Sequence, residues 1–236
     1  MNKYKYNSWP LGKLPTELQR KEPSLLRELG YEWDDPRDIV DICEKKIAKF
    51  FGAKYCVTTD CCSHAIFLSL QYLKYMGEIS VFDDIIIPKH TYISVAMQIL
   101  HSELHVKFSD EVWNGYYCLF PTRVIDAAVI WEKNSYVKNS LMCLSFQIKK
   151  AIPVGKMGAV LTDDFKTFDW LKKASYDGRD LTTPYDNKGH VSMIGWHMYA
   201  TPEDCARAII LMDQVTDKGR YMGSCNYPDI SQIIKV

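Results

Sequence analysis

Four short stretches of the chain hold residue types that could do chemistry together. Asp60-Cys61-Cys62-Ser63 places a carboxylate, two thiols and a hydroxyl where a helix should begin. Lys89-His90-Thr91-Tyr92 offers cations, a hydroxyl and an aromatic ring, and Asp126 stands between Ile125 and Ala127-Ala128. Ser145, Gln147, Lys149 and Lys150 form the last group. Each stretch ends a run that reads as a strand, and in open parallel α/β sheets ligands bind beyond the carboxyl ends of the strands. One sheet edge would then carry an anion-sized turn at a helix N-terminus, an aromatic, a carboxylate and a lysine. A pyridoxal 5′-phosphate (PLP) site needs those parts. The helix N-terminus holds the phosphate, the aromatic stacks on the ring, the carboxylate keeps the pyridine nitrogen protonated and the lysine forms the Schiff base.

Taken singly, each piece has a blander reading. Adjacent lysines are ordinarily solvated surface. Tyr92 is more often a core residue than a platform, and Ser63 more often a plain helix cap. A carboxylate at an apolar strand end is costly without a partner, so Asp126 calls for a cation nearby; the alternative is a turn cap. Convergence on one edge favours the joint reading over any member alone.

The elements that must position these residues follow from the hydrophobic pattern. Asp35 and Pro36 read as the cap and first position of a helix, in which Val40, Cys43, Ile47 and Phe50 recur at helical spacing until Gly52 stops it. Strands are expected over 54–59, 84–88, 104–108, 124–126, 141–146 and 157–162. Helices are expected over about 63–76, 91–101, from the Asp163-Asp164 cap to about 177, and from Pro202. This alternation predicts an α/β fold with a mostly parallel sheet flanked by helices. Residues 1–34, proline-containing and poor in periodic apolars, read as an extended N-terminal arm laid over the body or over a partner subunit. Residues 35–236 read as one domain.

At 236 residues the chain is long enough for one large domain, or one with an appendage. Its 47% hydrophobic and 25% charged residues exclude a disordered chain. Lys plus Arg equals Asp plus Glu at 29 each, and this zero formal charge argues against a dedicated nucleic-acid binder. No apolar run is long enough to span a membrane, and the polar N-terminus has no secretory h-region, so a cytoplasmic location is expected. The eight cysteines lack the short repeated spacing of a zinc site, and Cys43, Cys56, Cys143 and Cys205 read as reduced core residues.

Six ordered blocks between about residues 38 and 215 resemble the DegT/DnrJ/EryC1/StrS family of PLP-dependent sugar aminotransferases. They are FFGAKYCVTTDCCSHAIFLSL, DDIIIPKHTYISVA, VIDAAV, SFQIKKAIPVGKMGAVLTDD, YDGRD and GWHMYATPEDCARAIILMDQV. The resemblance implies the large domain of a fold type I aminotransferase, with PLP as cofactor. It implies an amino group moved from glutamate or glutamine to a keto-sugar, nucleotide-linked in the family. Lys150 falls on the Schiff-base lysine, Asp126 on the carboxylate at the pyridine nitrogen and Tyr92 on the stacking aromatic. Cys62 and Ser63 fall on the phosphate-holding turn, Ser145 on a further phosphate hydroxyl and Gln147 on a neighbouring cofactor contact. His197 falls on an asparagine that reaches the phosphate from the partner subunit, which implies a homodimer with a shared active site. Relatives that carry histidine in place of the lysine are dehydratases, and Lys150 argues against that variant.

The sequence departs from the family in several places. The family's Ser-Gly-Thr is Cys61-Cys62-Ser63, its His-Pro is Gln147-Ile148, and its Gly-Glu-Gly-Gly is Gly155-Lys156-Met157-Gly158. The C-terminal small domain of typical members is expected to be absent or vestigial. Two other readings stay open. One is a shortened homologue that binds PLP in a regulatory role without transamination. The other is cysteine chemistry at Cys61-Cys62 with His64 or His90, the helix N-terminus lowering the Cys62 pKa.

Overall fold

The computed structural model describes residues 19–180, 191–216, 218–219 and 222–234. Helices α1 (Glu22–Glu28), α2 (Asp38–Phe51), α3 (Cys62–Tyr75), α4 (Ile93–His101), α5 (Phe165–Ala174) and α6 (Pro202–Met212) surround strands β1 to β7. The strands are β1 (Tyr55–Thr59), β2 (Asp84–Pro88), β3 (His105–Ser109), β4 (Tyr117–Cys118), β5 (Val124–Asp126), β6 (Leu141–Ser145) and β7 (Gly158–Thr162). Five strands form one sheet in the order β1-β7-β6-β5-β4, and β2 pairs with β3 in parallel. A bridge between Ile86 and Phe120 joins the two sheets. The Ile86 N–H donates to the Phe120 carbonyl at 2.8 Å and the Phe120 N–H to the Ile86 carbonyl at 3.1 Å.

The expected common direction holds for β1, β5 and β6, while β7 and β4 run against them. The reversal of β7 has a local cause. Residues 146–157 return without a helix, the Phe146 N–H donating to the Met157 carbonyl at 2.9 Å. A parallel partner would need a full crossover. Because β7 is reversed, its first residue sits at the same edge as the strand ends before it: Gly158 faces Thr59 on one side and Ser145 on the other.

Alternate residues of the buried strands feed two cores. Val57, Cys143 and Val160 pack toward α3, α4 and α5. Cys56, Met142 and Leu161 pack toward α2 and α6. This two-sided burial is why the strands read as continuous apolar runs. The expected core cysteines Cys43, Cys56, Cys143 and Cys205 are buried free thiols.

Two expectations are corrected. Helix α2 begins at Asp38 with Arg37 at its N-cap, not at Pro36. Asp35 instead accepts from the Arg37 N–H at 2.9 Å, and tight turns bring the Asp38 and Ile39 N–H groups to the Asp35 and Pro36 carbonyls. The described part of the arm is not extended. Residues 22–28 are helical with a proline in the first turn, Leu26 is buried, and Arg20 meets Asp204 of α6 at 2.6 Å. Residues 1–18 lie outside the described residues.

Candidate active site

At the carboxyl ends of β1, β5 and β6 lies a cavity of about 510 Å³, lined by Cys62, Ser63, Tyr92, Asp126, Ser145, Gln147 and Lys150 together with residues named below. Seven residues from four separate stretches thus meet on one edge. His197 is not among them. It is exposed, and its Nδ1 sits 3.0 Å from the Asp177 carboxylate.

The turn between β1 and α3 is shaped for an anion. Cys61 is extended (φ −162°) at the N-cap, with no side chain capping the helix, so the first N–H groups of α3 are left for another acceptor. Thr59 Oγ1 steadies the turn by donating to the Cys61 carbonyl at 2.9 Å. The Ser63 hydroxyl donates to Ser94 Oγ at 2.8 Å, tying α3 to α4. The missing turn glycine has a counterpart across the sheet: a Cβ on Gly158 would lie 2.4 Å from Cys61 C and Cys62 N. Close approach is therefore supplied by β7, and the turn itself can carry side chains.

Asp126 ends β5, buried, and its direct partners are neutral. Tyr117 donates its hydroxyl to Oδ2 at 2.8 Å, and the Ala128 N–H donates to Oδ1 at 3.0 Å. The cation expected beside it acts only through space. Burial pushes the Asp126 carboxyl up, against the pull of the Tyr117 and Ala128 hydrogen bonds and the Lys150 charge. Burial also draws the Lys150 amine below its ordinary value, opposed by the charge of Asp126. Lys149 is exposed, and its N–H donates to Gln147 Oε1 at 2.8 Å. Of the two adjacent lysines, Lys150 has the half-buried, depressed amine that a Schiff base requires. Tyr92 stands at the N-cap of α4, 60% exposed, with its ring at the cavity.

The two cysteines of the turn stand differently: the Cys61 sulfur, the His64 ring and the Asp60 carboxylate lie within 4.8 Å of one another, while the Cys62 thiol is desolvated. Burial and the Asp126 charge hold the Cys62 thiol well above its ordinary value. His90 Nδ1 faces the Tyr227 carbonyl at 3.0 Å, and His64 Nδ1 the Asp60 carboxylate at 2.6 Å.

Sequence reasoning missed Trp113, Tyr117, Met222, Asn226 and Tyr227. Tyr117 lies on a strand of two residues, too short for a periodic signal. Residues 222–234 fold back on the cavity wall: the Trp113 N–H donates to Ser224 Oγ at 2.8 Å, the Ile230 N–H to the Lys89 carbonyl at 2.9 Å, and the Tyr227 ring lies 5.6 Å from that of Trp113.

The sequence matches the model of the DegT/DnrJ/EryC1/StrS aminotransferase family over residues 32–137. Asp126 lies inside that span, whereas Ser145, Gln147, Lys150 and His197 lie beyond it. Among solved structures, AtS13 from Actinomadura melliaura superposes with a TM-score of 0.66 at 14% identity, covering 82% of this chain and 64% of that one. PseC of Helicobacter pylori, an aminotransferase of pseudoaminic acid biosynthesis, gives 0.63 at 16%, covering 84% and 63%. The sugar aminotransferase CalS13 from Micromonospora echinospora gives 0.63 at 12%, covering 82% and 64%. The chain thus spans just under two thirds of each of these structures, and the likeness shows the fold of PLP-dependent aminotransferases. No curated protein matches the sequence.

Proposed function

We propose that this chain, carrying the family's sequence pattern on the aminotransferase fold, is a PLP-dependent aminotransferase that moves an amino group from glutamate or glutamine to a keto-sugar, nucleotide-linked as in the family. The observation that supports it most is the meeting of a buried carboxylate, a half-buried lysine with a lowered pKa and an uncapped helix N-terminus around one cavity.

The residues fit the cofactor. The N–H groups that open α3, with Ser63 and Ser145 beside them, would hold the phosphate. Gly158 keeps the space behind that turn clear of side chain. Tyr92 would lie against the ring, and Asp126 would hold the proton of the pyridine nitrogen. PLP supplies an electron sink when bound. Lys150 then does the proton work: its amine, unprotonated at lower pH than a solvated lysine, can accept a proton from the substrate carbon and return it. Gln147, on the turn that carries Lys150, would give the cofactor a further contact. Residues 35–236 act as one PLP-binding domain, with residues 1–34 appended to it.

The working unit in this reading is a homodimer in which His197 reaches the neighbouring protomer's cavity. Its exposure, and its position outside the cavity of its own chain, support that role.

The test is spectroscopic. PLP added to the purified chain should give a visible band, and Lys150→Ala should lose it. A colourless wild-type chain in saturating PLP would overturn the proposal. The regulatory alternative has a separate signature: a stable band unchanged by glutamate or glutamine.

A further inference from the structure

Behind Asp126 lies a line of buried hydroxyls that the chemistry above does not use. Tyr117 Oη sits 2.8 Å from Asp126 Oδ2 and 2.5 Å from Thr91 Oγ1. Both Tyr117 and Thr91 are 2% exposed. A phenol has one proton to give, and an ionised carboxylate only accepts. Tyr117 must therefore donate to Asp126, and Thr91 must donate to Tyr117. The direction of the chain is fixed by this count.

The line is braced at both ends. The Trp113 ring packs 5.0 Å from Tyr117, and its Nε1 donates to the His90 carbonyl at 2.8 Å. Thr91 immediately precedes Tyr92, which carries the exposed ring at the cavity. The relay therefore ties the orientation of the carboxylate to the segment that carries the aromatic platform. With Oδ2 occupied by Tyr117 and Oδ1 by the Ala128 N–H, Asp126 keeps a single rotamer, and its remaining lone pairs serve the cavity it lines.

We propose that Tyr117, oriented by Thr91, is a positioning residue that keeps Asp126 ionised and aimed into the cavity, and so sets how tightly the pocket holds a protonated pyridine ring. The inference rests on the PLP reading for its ligand. The relay itself is a property of the chain. Burial and the Asp126 charge hold the Tyr117 phenol well above its ordinary value, so the donor keeps its proton over the whole working range of pH. The other titratable groups facing Asp126 are Lys150, Cys62 of α3, Cys143 of β6 and Tyr227. None of these replaces the Tyr117 hydrogen bond.

Two readouts on the full chain test this. In the PLP-free protein, the carboxyl carbon of Asp126 is followed by NMR against pH and assigned through Asp126→Asn. Tyr117→Phe should raise its midpoint by about one unit or more, because a donor to the charged form is lost. In the PLP-loaded protein, Tyr117→Phe should weaken PLP binding by about tenfold or more. It should also move the pH midpoint of the visible band upward, because a less protonated pyridine withdraws less charge. Thr91→Val should shift both quantities in the same direction by less, and Thr91→Ser, which keeps the hydroxyl, should leave them in place. The double variant should be no worse than Tyr117→Phe alone, since Thr91 acts only through Tyr117.

An unmoved Asp126 midpoint in Tyr117→Phe, or additive effects of the two substitutions, would overturn the relay. Should Tyr117→Phe fail to fold, the contrast between Thr91→Val and Thr91→Ser decides it. A wild-type chain that takes up no PLP would defeat the reading of the pocket, and the carboxyl titration would still decide the relay.

Discussion

At the scale of single residues, the clearest discrimination is between Lys149 and Lys150, neighbours in sequence that line one cavity and differ in burial. The turn that starts at Gln147 brings both to the cavity, Lys149 exposed and Lys150 half-buried, and burial lowers the Lys150 pKa. The sequence marked both and ranked neither by burial. Asp126 was legible as a costly charge at an apolar strand end, but its partner was not. A hydroxyl nine residues away on a two-residue strand leaves no pattern to read. His64 offers a prediction at this scale. Its hydrogen bonds to Asp60 and Cys61 raise its pKa from 6.5 to about 9. The pairing with Asp60 is therefore fully present below pH 6.5 and is lost as the pH rises through about 9. A proton NMR titration of the His64 ring should show a midpoint near 9, and a midpoint near 6.5 would refute the pairing.

The main strands and helices stood out in the sequence because buried apolar runs and periodic faces carry their own signal. Helix α5 starts at Asp164 as its cap predicts, the carboxylate accepting from the Thr167 N–H at 2.8 Å. What escaped was set by tertiary contacts. Helix α1 has too few periodic residues to announce itself and is held by docking on α6. The start of α2 shifted because Asp35 closed a turn of its own. The contact between β7 and the turn before α3 is the element-scale feature most exposed to test. Gly158→Ala would put a methyl group 2.4 Å from the Cys61 and Cys62 backbone, so the strand or the turn must move. We expect a loss of about 1–3 kcal/mol of stability, measured by denaturant unfolding, with weaker PLP binding. A variant as stable as wild type with unchanged binding would show that β7 does not shape the turn.

Over the whole molecule, the two cores fix the sheet and leave one edge for chemistry. Residues 222–234 cover part of that edge, which no sequence pattern foretold, since short polar segments joined by backbone bonds carry no periodicity. No helix among the described residues is long and apolar enough to cross a membrane. The proposed homodimer belongs to this scale. Lys150→Ala and His197→Ala chains, each weak in PLP binding alone, should recover one sound site per mixed dimer when unfolded together and refolded. A monomer by sedimentation, or no recovery on mixing, would place His197 outside the site. The central claim is that Lys150 carries PLP opposite Asp126, and it is tested most directly by borohydride reduction of the PLP-loaded chain followed by peptide mapping. One pyridoxyl group per chain, fixed on Lys150, is expected. A label on Lys149 or Lys156 with Lys150 unmodified, or no label at all, would contradict it.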